Sequence, residues 1–455
     1  MEWRLYPPQK EPQGIKPHWG LILFLYTIAC SISLAIRTFS WPEGKHVDST
    51  FLYYGIIIPI VIISIILSFI AMFTSANSFY LDVRKNIADR KLYHIKKYAR
   101  EYLTITAWST VAPVDDIALK MLKLEGEFPL GQKIPHKLEM DDEFVMSRTQ
   151  QLLEKLLKPI SVKLRQHPDL NITCWMRGEN ESAKSELIEV LAKMNISCRE
   201  ESITSLDECP AYNILTDIIY QSGITYQPLH LIIIADLHGD DSRYMENASA
   251  FFICENYIAQ EKPEPVYLFQ PLMSEMELTK SVPVFLAAEQ AKPAKTLWHT
   301  GLSKSEKYPL LNALSESKTG QDRLSLETSL GEYSASYQWL ALAFASDAVM
   351  YGQGSQLVAT SEKNRPALAI LSSEIPKLPA EPEHSEVLTP IHYAFPAMVF
   401  SLMMLTFLVL ENTGDLSIYL MITGAVLVIL VTFGLGFALS KASADQAWSD
   451  MDDLI

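Results

Sequence analysis

Two places in this 455-residue chain gather side chains of the kind that carry chemistry. Asp236, His238, Asp240 and Asp241 follow directly on an aliphatic run at 229–235. Carboxylates and an imidazole at the end of a strand are what a metal-assisted hydrolase would use to hold its ion. Upstream, Cys209 stands just before a helical pattern. A thiol there would serve as an acyl-carrying nucleophile once a base or a nearby charge raised its thiolate fraction. Cys30, Cys174, Cys198 and Cys254 show no CxxC spacing and read as reduced thiols, not as a disulfide framework or a zinc site. There is no Walker loop, no Rossmann glycine fingerprint after a strand, no Gly-x-Ser-x-Gly elbow and no His-Glu-x-x-His.

Both candidates depend on the elements that would position them. Residues 103–108 alternate and are rich in β-formers, which predicts a first strand. Asp115 and Asp116 read as the cap of a helix reaching 124, with Gly126 as its stop. Phe144, Val145, Leu152, Leu153, Leu156 and Leu157 give 142–157 the spacing of an amphipathic helix. A strand at 171–175, helices at 182–193 and 210–220, and the strand at 229–235 follow; the last is aliphatic throughout, as a strand covered on both faces should be. Strands at 266–270 and 282–287, an apolar helix at 337–350 and a hairpin of 356–360 with 367–371 complete the pattern. Alternating strands and helices predict an α/β domain with a mixed sheet. His230, Trp298 and His299 stand singly among apolar residues and are expected to be buried and satisfied.

The flanks belong to a different solvent. Residues 51–75 contain no Asp, Glu, Lys, Arg or His and are long enough to cross a hydrocarbon layer of roughly 30 Å. Further spans are read at 19–36, 394–410 and 416–439. Arg84, Lys85, Arg90, Lys91, Lys96, Lys97 and Arg100 follow the second span, which predicts a cytoplasmic face there and contact with anionic lipid headgroups. The loops 38–50 and 411–415 then lie outside. Four sequons, at Asn171, Asn180, Asn195 and Asn247, would sit on the cytoplasmic side and are read as chance. The spans lack central ionisable groups, so they read as anchors, with Gly424, Gly434 and Gly436 as packing surfaces, not as a transport path. The expected architecture is a membrane protein with an α-helical bundle of four transmembrane helices in two hairpins. They bracket a cytoplasmic α/β domain: tail and hairpin 1–75, soluble domain 76–388, hairpin 389–440, cytoplasmic tail 441–455.

Three resemblances bear on the candidates. Asp236-Leu237-His238-Gly239 resembles the opening of a metallophosphoesterase, where a strand-end Asp-x-His supplies metal ligands. That family's later Gly-Asp-x-x-Asp, Gly-Asn-His-Glu and Gly-His-x-His do not occur downstream, and two ligands alone do not hold a divalent ion. Cys209, the helix after it and the buried strand beyond resemble the nucleophile half of the thiolase and ketosynthase folds. The stretch 330–343 falls where that family puts a glycine loop and a small-residue helix. Glu332 stands where the loop would carry a catalytic histidine, and Pro210 is a further departure. Finally, Ala107-Trp108-Ser109 with Ala112-Pro113, the stretch 297–302 and Trp339-Leu340-Ala341-Leu342-Ala343 resemble membrane proteins associated with bacterial type VI secretion clusters.

A net charge of -15 and a pI near 5.2 argue against nucleic acid as a partner. With each centre incomplete, no catalytic, cofactor-binding or metal residue is assigned, and no cofactor is expected. The resemblance to secretion-associated proteins implies a non-enzymatic accessory, adaptor or immunity protein of the bacterial inner membrane that binds a protein partner, a secreted effector or a secretion component. The rival from enzymology is a membrane-anchored acyl-transfer or hydrolase enzyme acting on lipid-derived substrates, centred on Cys209 or on Asp236 and His238. A third reading is a structural subunit that assembles with its own copies.

Overall fold

The computed structural model describes residues 3–12, 18–42, 46–47, 49–126, 137–140, 146–167, 170–178, 183–222, 229–238, 244–254, 265–273, 278–317, 319–362, 365–383, 387–411 and 416–454. The chain divides into two compact units. One comprises Met1–Arg4 and His94–Ala380, the other Leu5–Tyr93 and Glu381–Ile455.

The first unit is built on one mixed sheet. Its strands are β1 (Tyr102–Val111), β2 (Leu170–Arg177), β3 (Ile203–Ser205), β4 (Leu229–Asp236), β5 (Asn247–Cys254), β6 (Val266–Phe269), β7 (Leu272–Met273), β8 (Thr296–Thr300), β9 (Asp322–Ser325), β10 (Gln356–Glu362) and β11 (Arg365–Ser372). They lie in the order β3-β2-β4-β5-β1-β6-β11-β10-β8-β9, with β7 on β11. This order is a palindrome of topology. In the first half β2 pairs in parallel with β3 and β4, and β4, β5 and β1 then run antiparallel. In the second half β8 pairs in parallel with β9 and β10, and β10, β11 and β6 run antiparallel. The halves meet where β1 and β6 pair antiparallel. One strand–helix plan is therefore used twice about an approximate two-fold axis between β1 and β6. The helix Asn213–Ser222 leads into β4 as Tyr337–Met350 leads into β10.

β4 shows why the sheet is covered on both faces. Ile232 and Ile234 join Phe251 and Ile253 in a core with the Tyr337–Met350 helix, while Leu231, Ile233 and Ala235 face a second core with Leu152, Leu156 and Leu187. Alternate side chains of a strand point to opposite faces, so a strand aliphatic at every position must have both faces buried. The hairpin of β10 and β11 is as expected, and Trp298 and His299 are buried, Trp298 donating Nε1–H to Gln356 at 3.0 Å.

Some elements differ from expectation. Residues 282–287 are not a strand but the end of a helix, Leu278–Ala287, which buries Leu278, Ser281, Val282 and Phe285 at helical spacing. Pro283 there has no N–H to give to a ladder, which already argues against a central strand. The helix after Asp116 is shorter, Ile117–Met121, and Asp116 makes no side-chain cap; it takes a left-handed φ of 54° instead. The amphipathic helix is Arg148–Leu157, opened by a Ser147–Gln150 capping box; residues 142–145 lie outside the described residues.

The second unit holds helices Trp19–Phe39, Pro390–Glu411 and Leu416–Asp452, and most of a run that begins at Ser49. Four helices are long and apolar enough to cross a membrane. The second has a π-helical turn near its start, Tyr53–Ile57, where Ser33 donates its hydroxyl to the Tyr54 carbonyl at 2.9 Å. Gly55 lets Leu34 approach so closely that a Cβ would stand 2.6 Å from its Cδ2. Both hairpins belong to this unit and touch: the Tyr53 and Phe407 rings meet at 4.6 Å, and a Cβ on Gly436 would meet Ala394 at 2.9 Å and Met72 at 3.6 Å.

Candidate functional site: the Cys209–Arg177 junction

The topology brings two equivalent turns, one from each half, against each other. In the first, β3 ends at Ser205 and Cys209 precedes the helix Asn213–Ser222; in the second, Ser334 and Ser336 precede the helix Tyr337–Met350. The turns are joined by hydrogen bonds. Tyr212 donates its hydroxyl to the Gln338 carbonyl at 2.6 Å, Trp339 Nε1–H to the Pro210 carbonyl at 2.7 Å, and Gln338 Nε2–H to the same carbonyl at 3.0 Å. Burial holds the Tyr212 phenol well above its ordinary pKa, so it acts as a neutral donor.

Cys209 sits at this junction, 7% exposed. Its thiol donates to the Ala335 carbonyl at 3.4 Å, and Gln338 Nε2–H donates to its sulfur at 3.5 Å. It lines a cavity of about 630 Å³ together with Asp207, Glu208, Pro210, Asn213, Asp217 and Arg365. Cys209 packs in the apolar core but is held by polar contacts.

Beside it lies a second cluster. Arg177 at the end of β2 and Asp236 at the end of β4 are register partners in the parallel ladder. Arg177 donates from Nε to Asp236 Oδ1 and from Nη2 to Oδ2, both at 2.7 Å, and from Nη2 to Ser334 Oγ at 3.0 Å. Ser334 and Ser336 donate their hydroxyls to the same carboxylate, and Asn247 Nδ2–H donates to Ser336 at 2.9 Å. Asp236 is fully buried. Asp236 is therefore no ordinary turn residue but the centre of a charge-assisted network. Gly178 makes room for it: at φ 136° a Cβ would stand 2.9 Å from Leu237 Cβ. Burial works against the charge on Arg177, yet hydrogen bonds and charge from Asp236, then Tyr244 and Cys209, hold its pKa above the ordinary value.

His238 is turned elsewhere. Its Nε2 lies 2.9 Å from the Tyr244 carbonyl and its ring meets the Tyr244 ring edge-on at 4.7 Å. Its backbone N–H donates to Glu246, a fully buried carboxylate that also pairs with Arg148 and accepts from the Leu138 N–H at 2.7 Å. Among the described residues no cluster of three or more His, Cys, Asp or Glu could hold a metal ion, while Gly239, Asp240 and Asp241 lie outside them. His230 is no base for Cys209. It is the second residue of β4, six residues (about 20 Å of strand) from the Asp236 end. His299 interacts with Lys307, Glu327 and Arg323, and burial lowers its pKa to about 4. Arg177 escaped the sequence reading, and Ser334, Ser336 and Gln338 entered it only as part of the stretch 330–343, with no role. The available signal was that the strands at 171–175 and 229–235 each run into a charged residue, of opposite sign.

No protein-family model matches the chain, and no curated protein matches it. Solved structures do. A chain of a type II polyketide ketosynthase in complex with its acyl-carrier protein matches with TM-score 0.46 and 10% identity, over 60% of this chain and 99% of its own. A tetronic acid condensing enzyme matches with TM-score 0.40 and 10% identity over 59% and 99%. The 3-oxoacyl-[acyl-carrier-protein] synthase III of Aquifex aeolicus VF5 matches with TM-score 0.36 and 13% identity over 59% and 99%. Ketosynthases, the resemblance read around Cys209, are thus among the solved structures this chain is similar to; the resemblance to type VI secretion proteins finds no support in these structures. The expectation of a non-enzymatic adaptor or immunity protein is corrected: the solved structures this chain is similar to are condensing enzymes.

Proposed function

We propose that the α/β unit is a membrane-anchored acyl-transfer domain in which the Cys209 thiol carries the acyl group. The observation behind this reading is that a reduced thiol lines a cavity of about 630 Å³ where the two halves of the fold meet, with an amide N–H of Gln338 on its sulfur. A donor on the sulfur favours the thiolate, which is the nucleophile, whereas the thiol's own bond to the Ala335 carbonyl favours the protonated form. In the first step the sulfur attacks the carbonyl carbon of an activated acyl ester. A C–S bond forms, the bond to the leaving group breaks, and the leaving group departs with the proton the thiol gave up. In the second step an acceptor takes the acyl group and Cys209 regains its proton. Four helices long enough to cross a bilayer suit a lipid-derived acyl chain as the cargo. The Lys and Arg residues between 84 and 100 favour the cytoplasmic side for the segment that follows the second helix.

The test is acylation of the detergent-solubilised full chain by a medium-chain and a long-chain acyl-coenzyme A, read by intact and peptide mass spectrometry. One acyl adduct on the Cys209 peptide is expected, and none in Cys209→Ala. If both thioesters leave Cys209 unmodified while iodoacetamide reaches it, the acyl-transfer reading is wrong.

A further inference from the structure

We propose that Arg177, clamped by Asp236 and Ser334, is the positioning residue that holds Cys209 as a thiolate, doing by charge what a histidine base would do by taking a proton. Its use in catalysis rests on the acyl-transfer reading above, but its test does not.

Arg177 and Cys209 are attached to neighbouring residues of one turn: Arg177 Nη2 donates to Ser334 Oγ at 3.0 Å, and the Cys209 thiol reaches the Ala335 carbonyl at 3.4 Å. The two are close enough to interact electrostatically, so that an ionised Cys209 would favour the charged guanidinium. By reciprocity the guanidinium favours the charged sulfur. A guanidinium acts in this way only if it stays put, and this one is restrained on three sides. Asp236 takes two of its nitrogens, Ser334 takes one of these again, and its plane lies 4.9 Å from the Tyr244 ring and 5.7 Å from the Trp175 ring. Asp236 opposes the effect, since its carboxylate pairs with the same guanidinium while also accepting from the hydroxyls of Ser334 and Ser336.

Other groups face the thiol. Tyr212 is neutral and Gln338 donates to the sulfur. Asp207, Glu208 and Asp217 on the cavity wall oppose a thiolate, and Arg365 on the same wall favours one. The three carboxylates are exposed, as Arg177 is, so water and salt screen both signs; Arg177 differs in being held in place by Asp236 and Ser334.

The experiment follows the pH dependence of iodoacetamide alkylation at the Cys209 peptide in the solubilised full chain. Wild type is expected to show a midpoint below the ordinary thiol value of about 8.5. Arg177→Met alone would strand the buried Asp236 charge, so the decisive variant is the double Arg177→Met/Asp236→Asn. It should raise the midpoint by about one unit, slowing alkylation at pH 7 about tenfold. Arg177→Lys keeps a charge without the fork and should fall between the two. The proposal is overturned if the double variant keeps its thermal transition and the wild-type alkylation profile, or if Arg177→Lys loses as much as the double variant. A low wild-type midpoint without an acyl adduct would remove the acyl-transfer reading and leave this one standing. An acyl adduct with an unmoved midpoint would do the reverse.

Discussion

Arg177→Met is expected to destabilise the α/β unit by about 3–5 kcal/mol, and Asp236→Asn by only about 1–2 kcal/mol, although both break the same ion pair. The asymmetry comes from burial. The Asp236 side chain is wholly buried, whereas that of Arg177 is 44% exposed. Removing the arginine leaves a carboxylate in the interior with only the two serine hydroxyls to offset its lost hydration. Removing the carboxylate charge leaves a guanidinium that water still reaches, and the amide oxygen of an asparagine still accepts from the serines. The double variant should lose less than the sum of the two, since its remaining groups are all neutral. For a unit of this size 1 kcal/mol moves the melting temperature by about 2–4 °C. The thermal transition of the solubilised chain should therefore fall by about 10 °C for Arg177→Met and by about 4 °C for Asp236→Asn. Equal losses, or a double variant equal to the sum, would show that the pair does not act as a buried charge with a wet partner.

Asp347→Asn should stabilise the protein at pH 8 and have no effect near pH 4. Asp347 lies on the helix Tyr337–Met350 and lines a second cavity, of about 570 Å³, with Trp108, Asp115, Asp116 and Lys155. Burial pushes its pKa up to about 6; Asp116 adds to the shift and the Trp108 hydrogen bond opposes it. The sign follows from proton linkage. Between the unfolded value near 3.8 and the folded value near 6 the folded chain binds the extra proton, so stability falls as pH rises through that window. Above it the full cost remains, about 2–3 kcal/mol for a shift of this size. Asparagine cannot ionise, and its amide oxygen keeps an acceptor for Trp108 Nε1–H, which now donates to Asp347 at 2.7 Å. A gain of about 5 °C at pH 8 that vanishes at pH 4 is the expected result in a thermal melt. A gain of the same size at both pH values would mean that the titration of Asp347 is not its origin.

The two cavities differ in what the fold asks of them. The Cys209 cavity lies where the two repeated halves meet: residues 206–217 of the first half supply most of its wall and Arg365 of the second the rest. The cavity at Asp347 lies along the end of β1, against residues 114–118. The first has a thiol in its wall, with Arg365 as the cation beside it.

Local pattern alone determined the four long apolar helices, because a run of some twenty residues without charge has few other fates. It also determined that β4 is buried on both faces, since both side-chain sets of 229–235 are aliphatic, and it placed the helix at 337–350 and the β10–β11 hairpin. It misplaced 282–287, because a six-residue apolar run fits a strand or a buried helix turn equally well until its neighbours are known. The short β3 and β9 were invisible for a related reason: three or four residues with little apolar content carry no period, and only pairing with β2 and β8 makes them strands. The site was the least legible part. Cys209 and Asp236 stood out by residue type, but their partners did not. Arg177 lies 59 residues from Asp236 and Gln338 lies 129 residues from Cys209. What joins them is the parallel register of β2 on β4 and the approximate two-fold that brings two equivalent turns together. Those are decisions of tertiary structure, because periodicity says which face of a strand or helix is buried and nothing about which distant element will cover it.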